Sequence, residues 1–405
     1  MARSARSAAR LAAALAAALL LTGCPSGAPD DAPPEPPAPA DGDGPLPAVP
    51  DGGEPVALLG SAVELTSPGS SEVALEVVAA PGGTAYVLMG EPPLGPVTRL
   101  LTVSGGEVTG SVPVEGLATA WDLHLLPDGE VLVSGRLSDG EALGYLRLDL
   151  GTGAVRSVRA VPLDDATART EGFSAISDDG ATVFLYAGTR VEGRYSELLE
   201  AWDLATDELL AARELFEDMR TISLTGFEPD PVGLAPWSGG GVALVTNAWR
   251  GQSGAAYVPT LLTFDPALEP AGSPLDLVPR QSAVTARALT TGPDGGLVVL
   301  LRGAPASTVL TVDRDDRTPL ARVTVPGFGF TDHLAVDGAG TVAVLPGLTG
   351  ARVVDLADGR TTPVDVGCPA VTTVLALAGG ADGGALLLGQ CPGGGNAAPT
   401  LWFLG

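Results

Sequence analysis

Leu125-Leu126-Pro127-Asp128-Gly129-Glu130-Val131-Leu132-Val133-Ser134-Gly135 decides how the chain folds. Apolar residues run up to Pro-Asp-Gly and a β-branched run follows. Gly129 supplies the positive φ that the turn needs, and Asp128 caps it, so the stretch reads as strand, tight turn, strand.

Variants of the phrase return six times: at Pro81-Gly82-Gly83, Asp179-Gly180, Ser238-Gly239-Gly240, Pro293-Asp294-Gly295, Gly338-Ala339-Gly340 and Asp382-Gly383-Gly384. In most copies a third strand follows and ends on Asp at a turn: Asp149, Asp203, Asp265, Asp313 and Asp355. The steps between these Asp residues are 54, 62, 48 and 42. They bracket the roughly 40 to 50 residues of a four-stranded propeller blade. The reading is an all-β, seven-bladed β-propeller of four-stranded antiparallel blades. The last unit is one strand short, and Val56 to Thr66 is strand-like and belongs to no other unit. Pairing the two would close the ring and remove the exposed edges of an open array.

The x-D-G turns and third strands such as Val354-Asp355-Leu356-Ala357-Asp358-Gly359 resemble those of YVTN-type and WD-repeat-like bacterial β-propellers over residues 56 to 405. The resemblance concerns fold and implies no particular activity. It leaves the repeat Asp residues structural, as carboxylates at strand ends accepting hydrogen bonds from turn amides.

Ahead of the repeats, Arg3, Arg6 and Arg10 precede an unbroken Leu/Ala run from Leu11 to Leu21. Eleven residues fall short of the roughly 20 that span a bilayer, so residues 1–23 read as an export signal. Leu21-Thr22-Gly23-Cys24 resembles the bacterial lipobox, which implies cleavage before Cys24 and a diacylglycerol thioether on its sulfur, with palmitate-class acyl chains. The alternative is an ordinary secretory signal with an incidental Cys. Residues 24–55 hold eleven prolines among acidic residues and nothing to build a core, the composition of a disordered tether. The expected location is the cell envelope, periplasmic or surface, with the membrane as partner through the Cys24 anchor.

All 22 basic residues are Arg, and losing three with the signal takes the formal charge from −26 to −29. Nucleic acid and anionic headgroups are disfavoured as partners of the domain. In an exported protein Cys368 and Cys391, both in loops of the last unit, favour a disulfide; two free thiols are the alternative.

Two regions could carry function. Long loops of the third and fourth units, Gly188 to Ser196, Glu214 to Pro231 and Asn247 to Pro259, concentrate Arg190, Arg194, Tyr195, Phe227, Trp249, Arg250 and Tyr257. Arg and aromatics on long loops suit a protein or glycan interface, or they fold back over their own loops. The second region is the channel mouth, approached by Glu72, Asp122, Glu171, Asp230, Asp332 and His333. A resemblance to propeller enzymes of the lactonase type would imply a divalent cation such as Ca²⁺ there, held by Asp122, Asp332 and His333. His124, inside a first strand, reads as a hydrogen-bonded, partly buried imidazole. No nucleophile elbow, Walker loop, dinucleotide fingerprint or H-E-x-x-H motif occurs. The leading expectation is a non-catalytic binding or scaffold module without cofactor; the alternative is a lactonase- or hydrolase-like enzyme.

Replacing Cys24 by Ala should abolish metabolic incorporation of radiolabelled palmitate into the protein and release it from the membrane fraction.

Overall fold

The computed structural model describes residues 62–67, 70–91, 96–138, 142–162, 169–191, 194–215, 230–249, 257–279, 284–292, 295–303, 306–326, 333–337, 342–347, 350–364, 373–379, 385–390 and 398–404. Cys24, Cys368 and Cys391, and with them the lipid anchor and the expected disulfide, lie outside these residues. Phe227, Arg250 and Asp332 do as well.

The chain enters on a two-residue strand, β1 (Val63–Glu64). Blade one follows as β2 (Val73–Ala80), β3 (Thr84–Gly90), β4 (Val97–Ser104) and β5 (Glu107–Pro113). Blade two is β6 (Leu117–Leu125), β7 (Val131–Leu137), β8 (Ala142–Leu148) and β9 (Val155–Pro162). Blade three is β10 (Arg169–Ile176), β11 (Thr182–Val191), β12 (Arg194–Asp203) and β13 (Glu208–Glu214). Blade four is β14 (Asp230–Trp237), β15 (Gly241–Trp249), β16 (Tyr257–Phe264) and β17 (Leu275–Asp276). Blade five is β18 (Thr285–Thr291), β19 (Leu297–Arg302), β20 (Ala306–Val312) and β21 (Pro319–Pro326). Blade six is β22 (Ala335–Val336), β23 (Val342–Gly347), β24 (Gly350–Asp355) and β25 (Thr361–Val364). The last sheet joins β26 (Thr373–Gly379), β27 (Ala385–Gln390) and β28 (Pro399–Leu404) to β1.

These are seven four-stranded antiparallel sheets. Their first strands touch in the order β2, β6, β10, β14, β18, β22, β26 and back to β2, a closed circle. No α-helix occurs among the described residues. The sequence pattern explains the radial layering. Second strands such as β19, Leu-Val-Val-Leu-Leu before Arg302, are buried on both faces and read as near-continuous apolar runs, whereas the outermost β5 and β13 carry mostly exposed residues interspersed with half-buried ones.

The turns behave as the repeated phrase requires. Gly129 sits at φ 85° and donates its amide to the Leu126 carbonyl at 3.0 Å, while Asp128 Oδ1 accepts from the Glu130 amide at 3.0 Å. The repeat Asp carboxylates cap the outer turns: Asp203 Oδ1 accepts from the Ala205 and Thr206 amides, both at 2.8 Å, and Asp149, Asp265, Asp313 and Asp355 do the same. Hydrogen bonds hold the Asp149 and Asp203 carboxyls below the ordinary aspartate range, as expected of structural caps.

The core is a set of apolar layers between consecutive blades. Phe184 and Tyr186 of blade three pack with Leu244 and Phe264 of blade four, and Val245 and Leu261 of blade four pack with Val299 and Leu310 of blade five. Ring closure is made in the same way. Val63 pairs with Leu401 and Glu64 with Thr400, and the Leu65 amide donates to the Pro399 carbonyl at 2.9 Å. Val63 and Leu65, both nearly inaccessible, then join Leu388 and Leu401 against Val77 and Val87 of blade one. Of the expected closing strand Val56–Thr66, the described part, from Ala62 on, pairs at Val63 and Glu64.

Two expected loops are partly strand. Residues 188 to 196 are mostly absorbed by β11 and β12, which pair out to Val191 and Arg194, and Trp249 pairs with Tyr257 across β15 and β16. Polar, Arg-rich composition suggested loop, but backbone pairing continues wherever the partner strand is present.

Placing Asp at both Val63 and Leu65 should cost about 3–5 kcal/mol through unpaired buried charge, read as a fall in the urea unfolding midpoint. A Val63→Ile, Leu65→Met control should stay within about 1.5 kcal/mol of the parent.

Candidate functional site in the central channel

The first strands share a recurrent irregularity. In β2, β14, β18 and β26 a bulge separates Ala74 from Glu76, Pro231 from Gly233, Ala286 from Ala288 and Val374 from Ala376. In β6 the register jumps from Ala120 to Leu123, so that Trp121 and Asp122 together face Ser134. Bulges bend a strand and re-aim its side chains. Trp121, Asp122, Val232 and Arg287, all bulged residues, line one cavity of about 430 Å³ on the ring axis. Glu76 from β2, Ser174 from β10 and His333, just before β22, complete its polar lining.

The acidic side of this cavity comes from adjacent blades. Asp122 Oδ2 accepts the Ser174 backbone N–H at 2.5 Å and its hydroxyl at 3.3 Å. Burial nevertheless pushes the Asp122 carboxyl from 3.8 up to about 6, opposed only by those Ser174 hydrogen bonds. Burial, and then the neighbouring charge of Asp122, holds the Glu76 carboxyl well above its usual range. Both groups are half-buried. Their narrow surroundings admit little solvent, and that desolvates the charged form. Two neighbouring carboxyls that both hold their protons above the ordinary range can act as hydrogen-bond donor and acceptor, as acid and base, or as a seat for a cation.

Ser174 ties the wall together. Its hydroxyl lies 2.9 Å from Ser134 Oγ and 2.8 Å from His124 Nε2. Burial lowers the His124 pKa to about 4, leaving a neutral imidazole at neutral pH. His124 is thus hydrogen-bonded and partly buried, as expected of it. Asp122 contacts Ser174 rather than His124, so the group is a wall network and not a nucleophile relay of the Ser-His-Asp kind. The Trp121 ring lies against β10, where a Cβ on Gly172 would stand 2.1 Å from Trp121 Cζ3. Only glycine admits that close approach.

The basic side comes from Arg287 of blade five and His333 of blade six, across the ring from blades one and two.

Other expected mouth residues divide. Glu72 is held by Arg99, whose Nε and NH2 donate at 3.0 and 2.5 Å, and accepts Thr98 Oγ1 at 3.0 Å. Asp230 accepts Asn247 Nδ2 at 3.1 Å, and the buried Asn247 also donates to the Ala286 carbonyl and accepts its amide, locking blade four to blade five. Glu171 lies on β10, and Arg190, Arg194, Tyr195 and Trp249 lie on paired strand ends, with only their backbones described. Tyr257 is half-buried at the start of β16. Among the described residues no three His, Cys, Asp or Glu side chains come together as a metal site requires, and the expected set of Asp122, Asp332 and His333 is described only at Asp122 and His333.

Glu76, Arg287 and Ser174 escaped the sequence reading. A usable signal existed: Glu76 in Val-Ala-Leu-Glu-Val-Val and Arg287 in Thr-Ala-Arg-Ala-Leu are lone charges inside apolar first strands.

No family model and no curated protein matches the chain. Solved structures do. The chain is similar to an oligogalacturonate lyase in complex with manganese, at 16% identity and a TM-score of 0.57, over 84% of this chain and 92% of that one. It is similar to a virginiamycin B lyase from Staphylococcus aureus bound to quinupristin, at 10% identity and a TM-score of 0.51, over 85% and 99%. It is also similar to the WD40 β-propeller domain of Doa1, at 10% identity and a TM-score of 0.52, over 85% and 96%. By fold, the chain is a β-propeller. At these identities the likeness reaches the architecture alone, which hosts lyases and a WD40 domain alike.

Asp122 supplies a pH test. A carboxyl whose folded pKa lies above its unfolded value destabilises the fold once deprotonated, so the penalty is absent below about pH 4, grows through pH 6 and is complete above it. Asp122→Asn keeps an acceptor for the Ser174 amide and removes the charge. Its unfolding free energy should match the parent near pH 4 and exceed it by about 2 kcal/mol at pH 8, measured by urea denaturation at each pH.

Proposed function

We propose that this chain is a lipid-anchored β-propeller of the bacterial cell envelope that recognises a small polar molecule in its central channel. One observation carries the reading: Glu76 and Asp122, from adjacent blades, face one cavity of about 430 Å³ with both carboxyls destabilised as anions by burial. Groups that weaken a fold and line a concave site are what ligand recognition asks for. The lipobox-like Cys24, the tether and the acidic surface support the envelope location. The strand ends carrying Arg190, Arg194, Tyr195, Trp249 and Tyr257 support a second, protein- or glycan-binding surface on blades three and four.

A catalytic reading is favoured by one feature. An Asp122 carboxyl near pKa 6 is suited to proton transfer at neutral pH, beside the second carboxyl of Glu76. Two of the similar folds are lyases, one of them holding manganese, which supports screening for acid–base elimination and for a divalent cation in the channel, near Asp122 or near Asp332 and His333.

The test is thermal unfolding of the purified protein against amines, carboxylates, zwitterions, neutral sugars, Ca²⁺ and Mn²⁺. At least one class should raise the midpoint, since ligand at 100 times its Kd stabilises by about 2.7 kcal/mol. The bulge substitution Val232→Phe, which crowds the cavity, should abolish the rise, and Tyr257→Ala should not. No rise with any class, or a rise indifferent to Val232→Phe, would overturn the channel reading. A Mn²⁺ rise lost in His333→Ala would favour the metal-dependent form of it.

A further inference from the structure

Among the described residues, the charges lining the cavity are segregated by blade. Glu76 and Asp122 project from blades one and two, and Arg287 and His333 from blades five and six. Blades one and two are neighbours in the circle, as are five and six, and blades three and four complete the lining with Gly172 to Ser174 and Val232 to Leu234. A ligand spanning it meets carboxyls at one end and a guanidinium with an imidazole at the other.

The acidic end is also aromatic. Trp121 precedes Asp122 in the same bulge, its ring fixed against Gly172, and Phe173 lines the cavity on the next blade. An ammonium group gains from a carboxylate and from an aromatic ring together. The basic end offers Arg287, whose planar fork matches a carboxylate. Its wall is otherwise apolar there, with Ala288 and Leu289 beside it. The burial-driven rise of the Asp122 carboxyl, relieved only by Ser174, fits a site whose cation arrives with the ligand rather than from the far wall.

Resting on the channel reading above, we propose that the ligand is a small zwitterion of dipeptide size, its ammonium seated by Glu76, Asp122 and Trp121 and its carboxylate by Arg287. About 430 Å³ is near the small end of ligand sites, which run from about 300 to 1,000 Å³, and fits a molecule of a few residues rather than a folded partner.

A matched series separates the parts of this proposal without altering the protein: Ala-Ala, N-acetyl-Ala-Ala, Ala-Ala-amide and N-acetyl-Ala-Ala-amide, titrated calorimetrically into the purified protein. Ala-Ala should bind at least about tenfold more tightly than either singly blocked form, and the doubly blocked form should bind weakest. Asp122→Asn should shrink the gap between Ala-Ala and its N-acetyl form while sparing the gap to the amide. Arg287→Gln should do the reverse. Equal binding of all four would overturn the charge assignment while leaving a channel site. Binding of the carboxylate-blocked form alone would reduce the ligand to a cation and also overturn the proposal. No binding of any member would overturn it too. The wider thermal screen then decides the channel reading independently, through any other class that needs an uncrowded cavity.

Discussion

Among the described residues, closure of the ring rests on the short backbone pairing of β1 with β28. Val63 and Glu64 supply the fourth strand of a sheet whose other three strands come from the opposite end of the described chain. Without them β28 would present an unpaired edge, and the layer that joins Leu388 and Leu401 to Val77 and Val87 would lose two of its buried side chains. Each of the other sheets is built from consecutive strands and can form locally. The first-to-last seam is the contact of greatest sequence separation, so circularity, and with it the axial cavity, depends on the contact that is slowest to form by chance.

A ring of blades sets the character of its centre. First strands converge on the axis, where a regular pleat would turn every second side chain into a space too narrow for solvent and too polar for a core. Bulges in five of these strands resolve the crowding, and they present Asp122, Arg287, Trp121 and Val232 inward. The cost appears as carboxyls that keep their protons well past the ordinary range. Several charges elsewhere are placed at low cost: Arg147, nearly buried, is matched by Glu130 at 2.6 Å and Asp128 at 3.1 Å, and the turn aspartates sit in water with amides to bind. The Glu200 carboxyl of β12 is also raised by burial but accepts Trp202 Nε1 at 2.8 Å, whereas the axial acids face a cavity, which is why function is assigned there.

Much of this was legible beforehand. The Pro-Asp-Gly phrase and the spacing of Asp149, Asp203, Asp265, Asp313 and Asp355 encode local turn chemistry, and local chemistry survives folding unchanged. The need for a borrowed strand followed from counting strands in the last unit. The site was less legible because a channel is a non-local object. Glu72 and Asp230 stand where channel ligands were expected, yet Arg99 and Asn247 hold them, partners 27 and 17 residues away that no spacing rule singles out. Glu76 was passed over because only the bulge after Ala74 brings it to the cavity, and bulges leave no reliable mark in sequence.

Carboxyl carbon chemical shifts followed by NMR across pH would address the central claim most directly. Glu76 and Asp122 should titrate well above ordinary carboxyls, Asp122 near 6, and both midpoints should fall when a zwitterionic ligand brings its ammonium to them. Ordinary midpoints for the pair, unmoved by any small molecule, would contradict the assignment of the channel as the working site of this propeller.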